Sequence, residues 1–521
     1  MTPANFRISR MVSSMATTGA AGLVVVAALG CTGSLVTTPT PGGGSLGGGP
    51  GAGGSVGPGP AGSTGNSGTG GGPGAGGSTV TGVGGTGGPV TGTGGSAGPT
   101  TVTCPQAARP YAVASVALSP SLAPHINSQG FGATLFAQVP VAVHPTTGAA
   151  YVGFTRDVGG VLTATIVPAT AGASTPAVAI PAASLGGLAV TPSGFGALVF
   201  DPNDNVDART WAAVQRFDAA GTQLFATDLF RSANLTAEGT KGAPGTSRFA
   251  YLPGTDQLVA YFGHTEMIQG TRHQGGYLAT LNLAGAQTVV SDWWGSHNLD
   301  QRMLVAGSQL GLLGLGDAFP KGVFFSFLVS RPSTRVVMTL AGNGQGNTNG
   351  QLGGMVDLDD ALVLPFITNT SISQTLTPGD WPNIDQTIAA QITAAANNGN
   401  KLGLLLVPKA GTIPAGDLAP IWIEPSLAAG ARLERLKAVR YGADALVLLA
   451  WAEATGTGRT VARSYFTMVV DRSGAVCQAK TALPAANAFT AGDDLVRRPD
   501  GSIVWGSVTG TQISVVTLTP G

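Results

Sequence analysis

The chain has 521 residues, of which 81 are Gly and 34 are Pro, and its 26 basic side chains balance its 26 acidic ones. Only 10% of the residues are charged, well below the usual quarter. A neutral chain without a cluster of Lys and Arg lacks the basic surface that phosphate backbones require, which excludes nucleic acid as a partner.

Residues 1–31 predict a signal peptide. Arg7 and Arg10 supply positive charge, and an apolar run from Ala20 to Leu29 follows them. A run of about ten residues is too short to span roughly 30 Å of hydrocarbon, so it fits the core of a cleaved export signal. An ordinary signal peptide that has a Cys near its cleavage site by chance is the alternative.

The end of this segment, Ala28-Leu29-Gly30-Cys31, resembles a bacterial lipobox, with Ala28 where Leu is usual. The resemblance implies that Cys31 is lipidated and that the protein is exported and anchored to a membrane of the cell envelope. Two or more acyl chains make such an anchor stable. We expect the outer membrane or the cell surface, rather than the inner membrane, to hold it.

Residues 32–103 are almost entirely Gly, Ser, Thr, Pro, Ala and Val. Such a segment cannot bury enough apolar area to offset its ordering entropy, so we predict a disordered linker. About 70 residues of flexible coil have a reach on the order of 45–50 Å. The linker would hold a folded domain, residues 104–521, away from the membrane.

Two further cysteines, Cys104 and Cys477, lie in the predicted folded domain. An oxidising compartment favours a disulfide between them over two free thiols, and no Cys-x-x-Cys spacing indicates metal.

Short apolar runs separated by tight-turn signals dominate residues 104–521 and predict an all-β fold. The runs repeat as units of four strands, which predicts a β-propeller with seven four-stranded blades. A ring of six or eight blades, or two β-sandwiches in series, is the alternative. The units begin near Val139, Leu188, Arg248, Gln301, Gly354, Leu433 and Asp494.

The last unit has only three strands, 495–498, 502–507 and 512–518. We predict that residues 111–118 supply the fourth, so that pairing of the N- and C-terminal strands closes the ring and removes an exposed edge. The whole arrangement resembles lipoproteins of Gram-negative bacteria that carry a low-complexity tether and a β-propeller-like domain. That resemblance implies a location and no particular activity.

Helical periodicity occurs at one place of note. Ile384, Ile388 and Ile392 recur every four residues within 383–398, and Gly399 is a plausible stop. We predict a helix there, within an insertion.

Propeller geometry sorts the connections between strands onto two faces. The turns predicted for one face are short, whereas the other face receives long loops, where function is more frequent. The long loops are 201–209, 264–275, 293–299, 342–350 and an insertion at 367–400.

The unusual side chains of this low-charge chain concentrate in two of those loops. Three His with carboxylates suit a divalent transition metal, although the spacing matches no compact zinc motif. The alternative is that these side chains bond loop backbone. The candidate metal or ligand residues are His264, Glu266, His273, His297 and Asp300. The candidate ligand-binding residues beside them are Arg272, Trp293, Trp294 and Arg302.

A calcium site is a further possibility at Asp201–Asp207, where oxygen-bearing side chains alternate, but the Gly and Glu of calcium loops are absent. A hydrated turn fits this segment better. His144, in a short turn, is predicted to be structural.

No nucleophile motif occurs in the predicted folded domain, since Gly-x-Ser-x-Gly matches only in the linker. We therefore expect a lipid-anchored binding protein that recognises a ligand, a glycan or a protein through its long-loop face. The alternatives are a metal-dependent hydrolase or lyase built on His264, His273 and His297, and a purely structural envelope protein.

Overall fold

The structure, a computed structural model, describes a defined set of residues, all of them from Cys104 onward. They are 104, 111–125, 139–202, 210–231, 241–268, 271–296, 298–316, 322–327, 335–339, 350–368, 372–376, 388–392, 401–409, 418–456 and 461–521.

The described residues form a β-propeller of seven antiparallel sheets, which we call blades 1–7. Blade 1 comprises β2 (Val141–Val143), β3 (Ala150–Val158), β4 (Val161–Pro168) and β5 (Val178–Pro181). Blade 2 comprises β6 (Ser184–Thr191), β7 (Gly194–Phe200), β8 (Trp211–Asp218) and β9 (Gln223–Arg231). Blade 3 comprises β10 (Lys241–Leu252), β11 (Gln257–Ile268), β12 (Thr271–Asn282) and β13 (Gln287–Ser296).

Blades 4 and 5 continue the same up-and-down order. Blade 4 comprises β14 (Asn298–Ala306), β15 (Gln309–Gly316), β16 (Gly322–Phe327) and β17 (Arg335–Thr339). In blade 5 the innermost strand is interrupted, so that two short segments pair with one neighbour. Its strands are β18 (Gly350–Leu352), β19 (Val356–Asp357), β20 (Ala361–Thr368), β23 (Lys401–Pro408) and β24 (Ile421–Ile423).

Blade 7 draws strands from both ends of the folded domain. Its strands are β29 (Val496–Arg497), β30 (Ile503–Thr509), β31 (Gln512–Pro520) and β1 (Tyr111–Ala117). The segment predicted to supply its fourth strand does so, since Tyr111 pairs with Pro520 and Ala117 with Ser514. Blade 6 comprises β25 (Arg432–Tyr441), β26 (Leu446–Thr455), β27 (Ala462–Val470) and β28 (Val476–Leu483).

A recurring turn joins the third and fourth strands of several blades. The Asp218 carboxylate accepts hydrogen bonds from the backbone N–H groups of Ala220 and Thr222, at 2.9 and 2.8 Å. Gly221 then adopts a φ of +83°, which a residue with a Cβ rarely tolerates. Asp471 and Gly474 repeat the motif in blade 6. The side chain replaces a backbone acceptor and fixes the reversal.

The core lies between neighbouring blades. Trp451 is fully buried among apolar side chains of blades 5 and 6, and Trp505 among those of blades 6 and 7. Phe154 of blade 1 packs with Val504 and Val515 of blade 7. Each blade thus buries both faces, which explains why strands such as β26 are continuous apolar runs rather than alternating ones.

The prediction of a helix at 383–398 is wrong at 388–392, the part of this segment that the structure describes. Residues Ile388–Ile392 form strand β22, which pairs with β21 (Ile372–Leu376) in a two-stranded sheet. Ile388 and Ile392 are four positions apart, an even number, so they share one face of a strand as well as one face of a helix. Ile384 lies outside the described residues. Only two short 3₁₀ turns, Pro120–Leu122 and Ala485–Asn487, represent helix in the described part of the chain.

The expected loops at 264–275 and 293–299 are largely strand. β11 runs through Ile268, β12 starts at Thr271 and β13 ends at Ser296. The polar side chains of these two segments suggested loops. The hydrogen bonds of a hairpin join backbone groups, however, so a hairpin can form without apolar side chains on either face. Residues 203–209, 342–349 and most of the 367–400 insertion lie outside the described part.

A disulfide joins Cys104 to Cys477, with 5.1 Å between their Cα atoms. It fastens the chain just before β1 to β28, the outermost strand of blade 6. No helix among the described residues has the length and apolar character needed to cross a membrane.

Replacing Cys477 by Ser should lower the stability of the domain. The disulfide closes a loop of 373 residues, and loss of a native bridge typically costs about 2–5 kcal/mol, in part because the unfolded chain gains freedom. Urea unfolding of the wild type and of Cys477→Ser, both without reductant, measures the change. An identical midpoint would show that the bridge does not support the fold.

Candidate functional site

The innermost strand of each blade has one unpaired edge. In every blade the first strand stands at one end of the sheet order, so its second edge has no neighbouring strand. The N–H and C=O groups along such an edge need hydrogen-bond partners. In this fold seven of these edges surround the central axis of the propeller.

A cavity of about 660 Å³ lies along this axis and is lined by the inner strands of all seven blades. Its volume is within the range of small-molecule sites. Its wall extends to the turns that follow the inner strands, at Pro145, Pro253, Gly307 and Pro499. These are the short turns, so the described cavity reaches the face opposite to the one on which the sequence analysis placed binding.

Six charged residues gather beside this cavity, and we call them the axial charge network. Arg248 and Asp494 line the cavity and stand five residues before Pro253 and Pro499, which is roughly 16 Å along an extended strand. The network is therefore deep. Its members are Arg248, Asp300, Arg302, Lys437, Asp493 and Asp494.

Asp494 is the centre of the network. Its Oδ2 accepts from Nε of Arg248 at 2.5 Å, and its Oδ1 accepts from Nη2 of Arg248 at 3.1 Å and from Nη1 of Arg302. Nε of Arg302 donates to Oδ1 of Asp300 at 2.7 Å. The backbone N–H of Leu352 donates to the other Asp300 oxygen at 3.0 Å. One chain of bonds thus joins blades 3, 4, 5 and 7.

Lys437 and Asp493 extend the network to two more blades. Lys437 is completely buried on β25, and its Nζ donates to the carbonyl oxygen of Ala491. Asp493 accepts from the hydroxyl of Thr490 and, at 2.9 Å, from the backbone N–H of Val139 at the start of blade 1.

Burial and charge oppose each other in this network. Burial works to raise the pKa of Asp494, but the Arg248 and Arg302 guanidinium groups outweigh it and hold that pKa far below its usual value. Burial works to lower the pKa of Arg302, and the Asp300 and Asp494 carboxylates raise it above its usual value. Burial also lowers the pKa of Lys437, helped by the nearby positive charge of Arg302, and raises that of Asp493.

The sequence analysis missed four of these six residues. The sequence analysis used Arg248 and Asp494 only as the first residues of two repeat units. It assigned no function to Lys437 or Asp493. The signal was present: in a chain with 10% charged residues, charges recur at the start of several units, where the inner strands lie. Charged residues at equivalent positions of a repeat indicate an axial cluster.

Asp300 and Arg302, predicted to bind metal or ligand, belong to the axial network. Both are almost fully buried, at 1% and 2% exposure. Both oxygens of Asp300 already accept hydrogen bonds from Arg302 and Leu352. Asp300 therefore has a structural role in the network, and its part in a metal or ligand site stays a prediction.

The other predicted site residues that the structure describes belong to strands β11, β12 and β13 of blade 3, near the β11–β12 turn. Glu266 of β11 is directly opposite His273 of β12, and His264 is two positions from Glu266, so all three belong to one face of this hairpin. Arg272 pairs with Met267, and Trp293 and Trp294 lie on β13. Their side chains and His297 are outside the described part of the chain.

Among the described residues, no three His, Cys, Asp or Glu side chains form a group that could hold a metal ion. At the segment considered for calcium, Oδ2 of Asp201 accepts from the backbone N–H of Thr210 and, at 3.2 Å, from that of Trp211. These bonds hold Thr210 and Trp211, at the start of β8, against the residue that follows β7. Nδ1 of His144 likewise accepts from the backbone N–H groups of Thr146 and Thr147, both at 3.2 Å.

Comparisons with known proteins add no activity. No protein-family model and no curated protein matches the chain. Among solved structures it is similar to Kuenenia stuttgartiensis hydrazine synthase, with 10% identity, a TM-score of 0.41, and coverage of 73% of this chain and 96% of that one. It is also similar to Penicillium chrysogenum α-L-arabinanase, with 11% identity, a TM-score of 0.35, and coverage of 78% and 98%.

The chain spans 46% of Galerina marginata prolyl oligopeptidase B, with 11% identity, a TM-score of 0.35 and 73% of this chain covered. Similarities at this level carry no argument about activity, and the fold rests on the seven sheets themselves.

Replacing Asp494 by Asn should destabilise the protein strongly, because two buried guanidinium groups lose their shared counter-charge. Removing one partner of a buried pair costs about 3–5 kcal/mol, and the 31% exposure of Asp494 reduces this to roughly 2–4. Asp359→Asn is the matched control, since Asp359 pairs with Arg440 at 73% exposure and should cost less than about 1 kcal/mol. Urea unfolding at pH 7 compares them.

The loss of stability caused by Asp494→Asn should also depend on pH. The folded-state pKa of Asp494 lies below its unfolded value, so its stabilising effect is complete above about pH 4 and is lost as the pH falls further. The difference in unfolding free energy between wild type and Asp494→Asn should therefore shrink as the pH is lowered from 5 towards 2. A constant difference would mean that charge is not the cause.

The hypothesis of a metal at blade 3 predicts about one transition ion per purified chain by elemental analysis. His273→Ala should lose it because the imidazole is a ligand, whereas His144→Ala should keep it. Retention by both variants, or no metal in the wild type, would remove the blade 3 histidines from consideration as ligands.

Proposed function

We propose that this protein is a lipid-anchored envelope protein whose propeller binds a small molecule in the axial cavity. One observation carries the proposal: a single cavity of about 660 Å³ receives unpaired backbone edges from all seven blades and has charged side chains at its deep end. Concave sites with few, well-placed polar groups are typical of ligand binding.

The expected long-loop site and the axial cavity lie at opposite ends of the inner strands. Most of the long-loop residues are outside the described part of the chain, so recognition of a glycan or a protein partner there stays a prediction. The described residues support the axial cavity as the site, because they form its wall on all seven blades.

A binding role suits the chemistry of this wall. Asp494 and Asp300 are paired with arginines, whereas Lys437 and Asp493 are hydrogen-bonded to neutral groups. Asp300, Arg302 and Lys437 lie behind the cavity wall rather than on it. Asp494 and Arg302 keep their charges near neutral pH, because each lies beside opposite charge, and they can orient a ligand by their field.

A metal-dependent hydrolase or lyase is the second candidate. Its support is the strand register that places His264, Glu266 and His273 on one face of the blade 3 hairpin. A three-residue set of this kind can hold a catalytic transition ion and leave a position for water. Stoichiometric metal on blade 3 would favour this candidate, and a purely structural role would show neither metal nor ligand.

Blocking the cavity tests the binding proposal. Ala306 lies in its wall at the end of β14, and Ala306→Trp should fill space that a ligand needs. Ala220→Trp, in an exposed turn of blade 2, is the matched control. A ligand present at about 100 times its Kd adds about 2.7 kcal/mol of stability.

We expect a metabolite library to raise the melting temperature of the wild type and of Ala220→Trp for one compound class, and to leave Ala306→Trp unchanged. Equal shifts in all three proteins would place binding outside the cavity. The absence of any shift would leave the structural role as the better account.

The anchor has its own test in the bacterial host. Cys31→Ser should abolish incorporation of an alkyne-labelled palmitate and move the protein from the membrane fraction, because the thiol that carries the lipid is gone. Cys104→Ser, which alters the disulfide instead, should keep the label. A labelled Cys31→Ser protein would contradict lipidation at this residue.

A further inference from the structure

Charged side chains also occur along the wall of the axial cavity towards its short-turn end. They are the cationic residues Arg440, Arg497 and Arg498, and the carboxylate of Asp357. Their distribution is uneven, because all three arginines belong to blades 6 and 7, which are neighbours.

Two of these four charges are compensated. Arg440 donates two hydrogen bonds to the Asp359 carboxylate, at 2.6 and 2.7 Å. Asp357 accepts from Nζ of Lys409 at 2.8 Å. Each pair contributes no net charge to the cavity.

Arg497 and Arg498 differ from that pattern. Nη2 of Arg497 donates to the carbonyl oxygen of Gly442 at 3.0 Å, which is a neutral acceptor. Nε of Arg498 is buried and has no hydrogen-bond partner among the described residues, and neither arginine has an ion-pair partner there. Asp500, in the following turn, accepts from the backbone N–H and the hydroxyl of Ser502, at 2.9 and 2.7 Å. Among the described residues, no ion pair joins either guanidinium group to Asp500 or to Asp444 of the neighbouring blade 6 turn, so both groups remain cationic donors on this side of the cavity.

Towards the short-turn end, the wall on the opposite side is apolar. In a seven-blade order, blades 3 and 4 lie across the axis from blades 6 and 7. They contribute Met303 and Val305 of β14 and the ring of Tyr251 on β10, all of which line the cavity and are partly exposed. A ligand in this space therefore meets positive charge on one side and hydrocarbon on the other.

We propose that the ligand of the axial cavity is an organic anion whose carboxylate bonds to Arg498 and Arg497 and whose apolar body packs on Met303 and Val305. This inference rests on the proposed function. Guanidinium groups bind carboxylates through paired, charge-assisted hydrogen bonds, and an unused buried N–H gains most from such an acceptor. A cavity of about 660 Å³ is larger than an inorganic ion can fill. An apolar group on the ligand would fill the remaining space and shield the apolar wall from water.

Matched probes test both halves of the inference. Calorimetric titration of the full-length protein compares 3-phenylpropionate with 3-phenylpropanamide, which has the same shape and no charge. Hydrogen bonds to charged groups contribute more than neutral ones, so the carboxylate should bind about tenfold more tightly than the amide. Inorganic phosphate, which has charge and no apolar body, should bind more weakly than 3-phenylpropionate.

Arg498→Met is the decisive variant, because Met keeps the aliphatic stem and removes the charge. It should bind 3-phenylpropionate about tenfold more weakly and 3-phenylpropanamide as the wild type does. Arg463→Met, on β27 at the outer part of blade 6, is the control and should behave as the wild type. Unfolding curves of both variants confirm that each is folded at the titration temperature.

Equal affinity of the wild type for the acid and the amide, or no detectable binding of either, would overturn the inference. Phosphate binding as tightly as 3-phenylpropionate would also overturn it, since the apolar wall would then contribute nothing. A neutral compound whose binding is blocked by Ala306→Trp would still support the proposed function while the anion inference failed.

Discussion

The shared carboxylate of Asp494 is the interaction on which the arrangement of the inner strands depends. It accepts hydrogen bonds from Arg248 of blade 3 and Arg302 of blade 4, while it belongs to blade 7 itself. Apolar packing between blades is strong but has no direction, whereas hydrogen bonds to the Asp494 carboxylate require particular distances and angles. A blade that rotated or slid would leave a guanidinium unpaired in a site that water reaches poorly. The network therefore makes one arrangement of blades far more favourable than its neighbours.

The cavity follows from the same arrangement. Seven four-stranded sheets that pack face to face place seven strand edges around one axis, and those edges are too far apart to pair with each other. Their N–H and C=O groups need partners, as does the charge of any residue that faces the axis. The chain meets this need at the deep end with its own side chains and leaves the short-turn end open. The blade arrangement and the proposed site thus have a common origin, since the inner strands that the network joins also form the cavity wall.

The sequence predicts the scaffold better than the site, for a physical reason. Blade number and the strand supplied by 111–118 follow from local patterns: apolar runs, turns such as Asp218–Gly221, and a unit that lacks one strand. The helix at 383–398 failed because a four-residue spacing fits helix and strand alike. The network was missed because its members, Arg248, Lys437 and Asp494, are distant in sequence and become neighbours only when the axis forms. Motif searches find residues that are close along the chain, whereas this fold assembles its polar cluster from residues of several separate blades.

A ligand in the axial cavity would act across the same axis as the Asp494 network. A molecule held between the blade 6 and 7 arginines and the blade 3 and 4 wall touches both sides of the axis, as the Asp494 network does one level deeper. Its binding energy would add to that of the network, because both interactions favour one spacing of opposite blades. The outer strands and the disulfide at Cys477 lie away from this axis and would respond little.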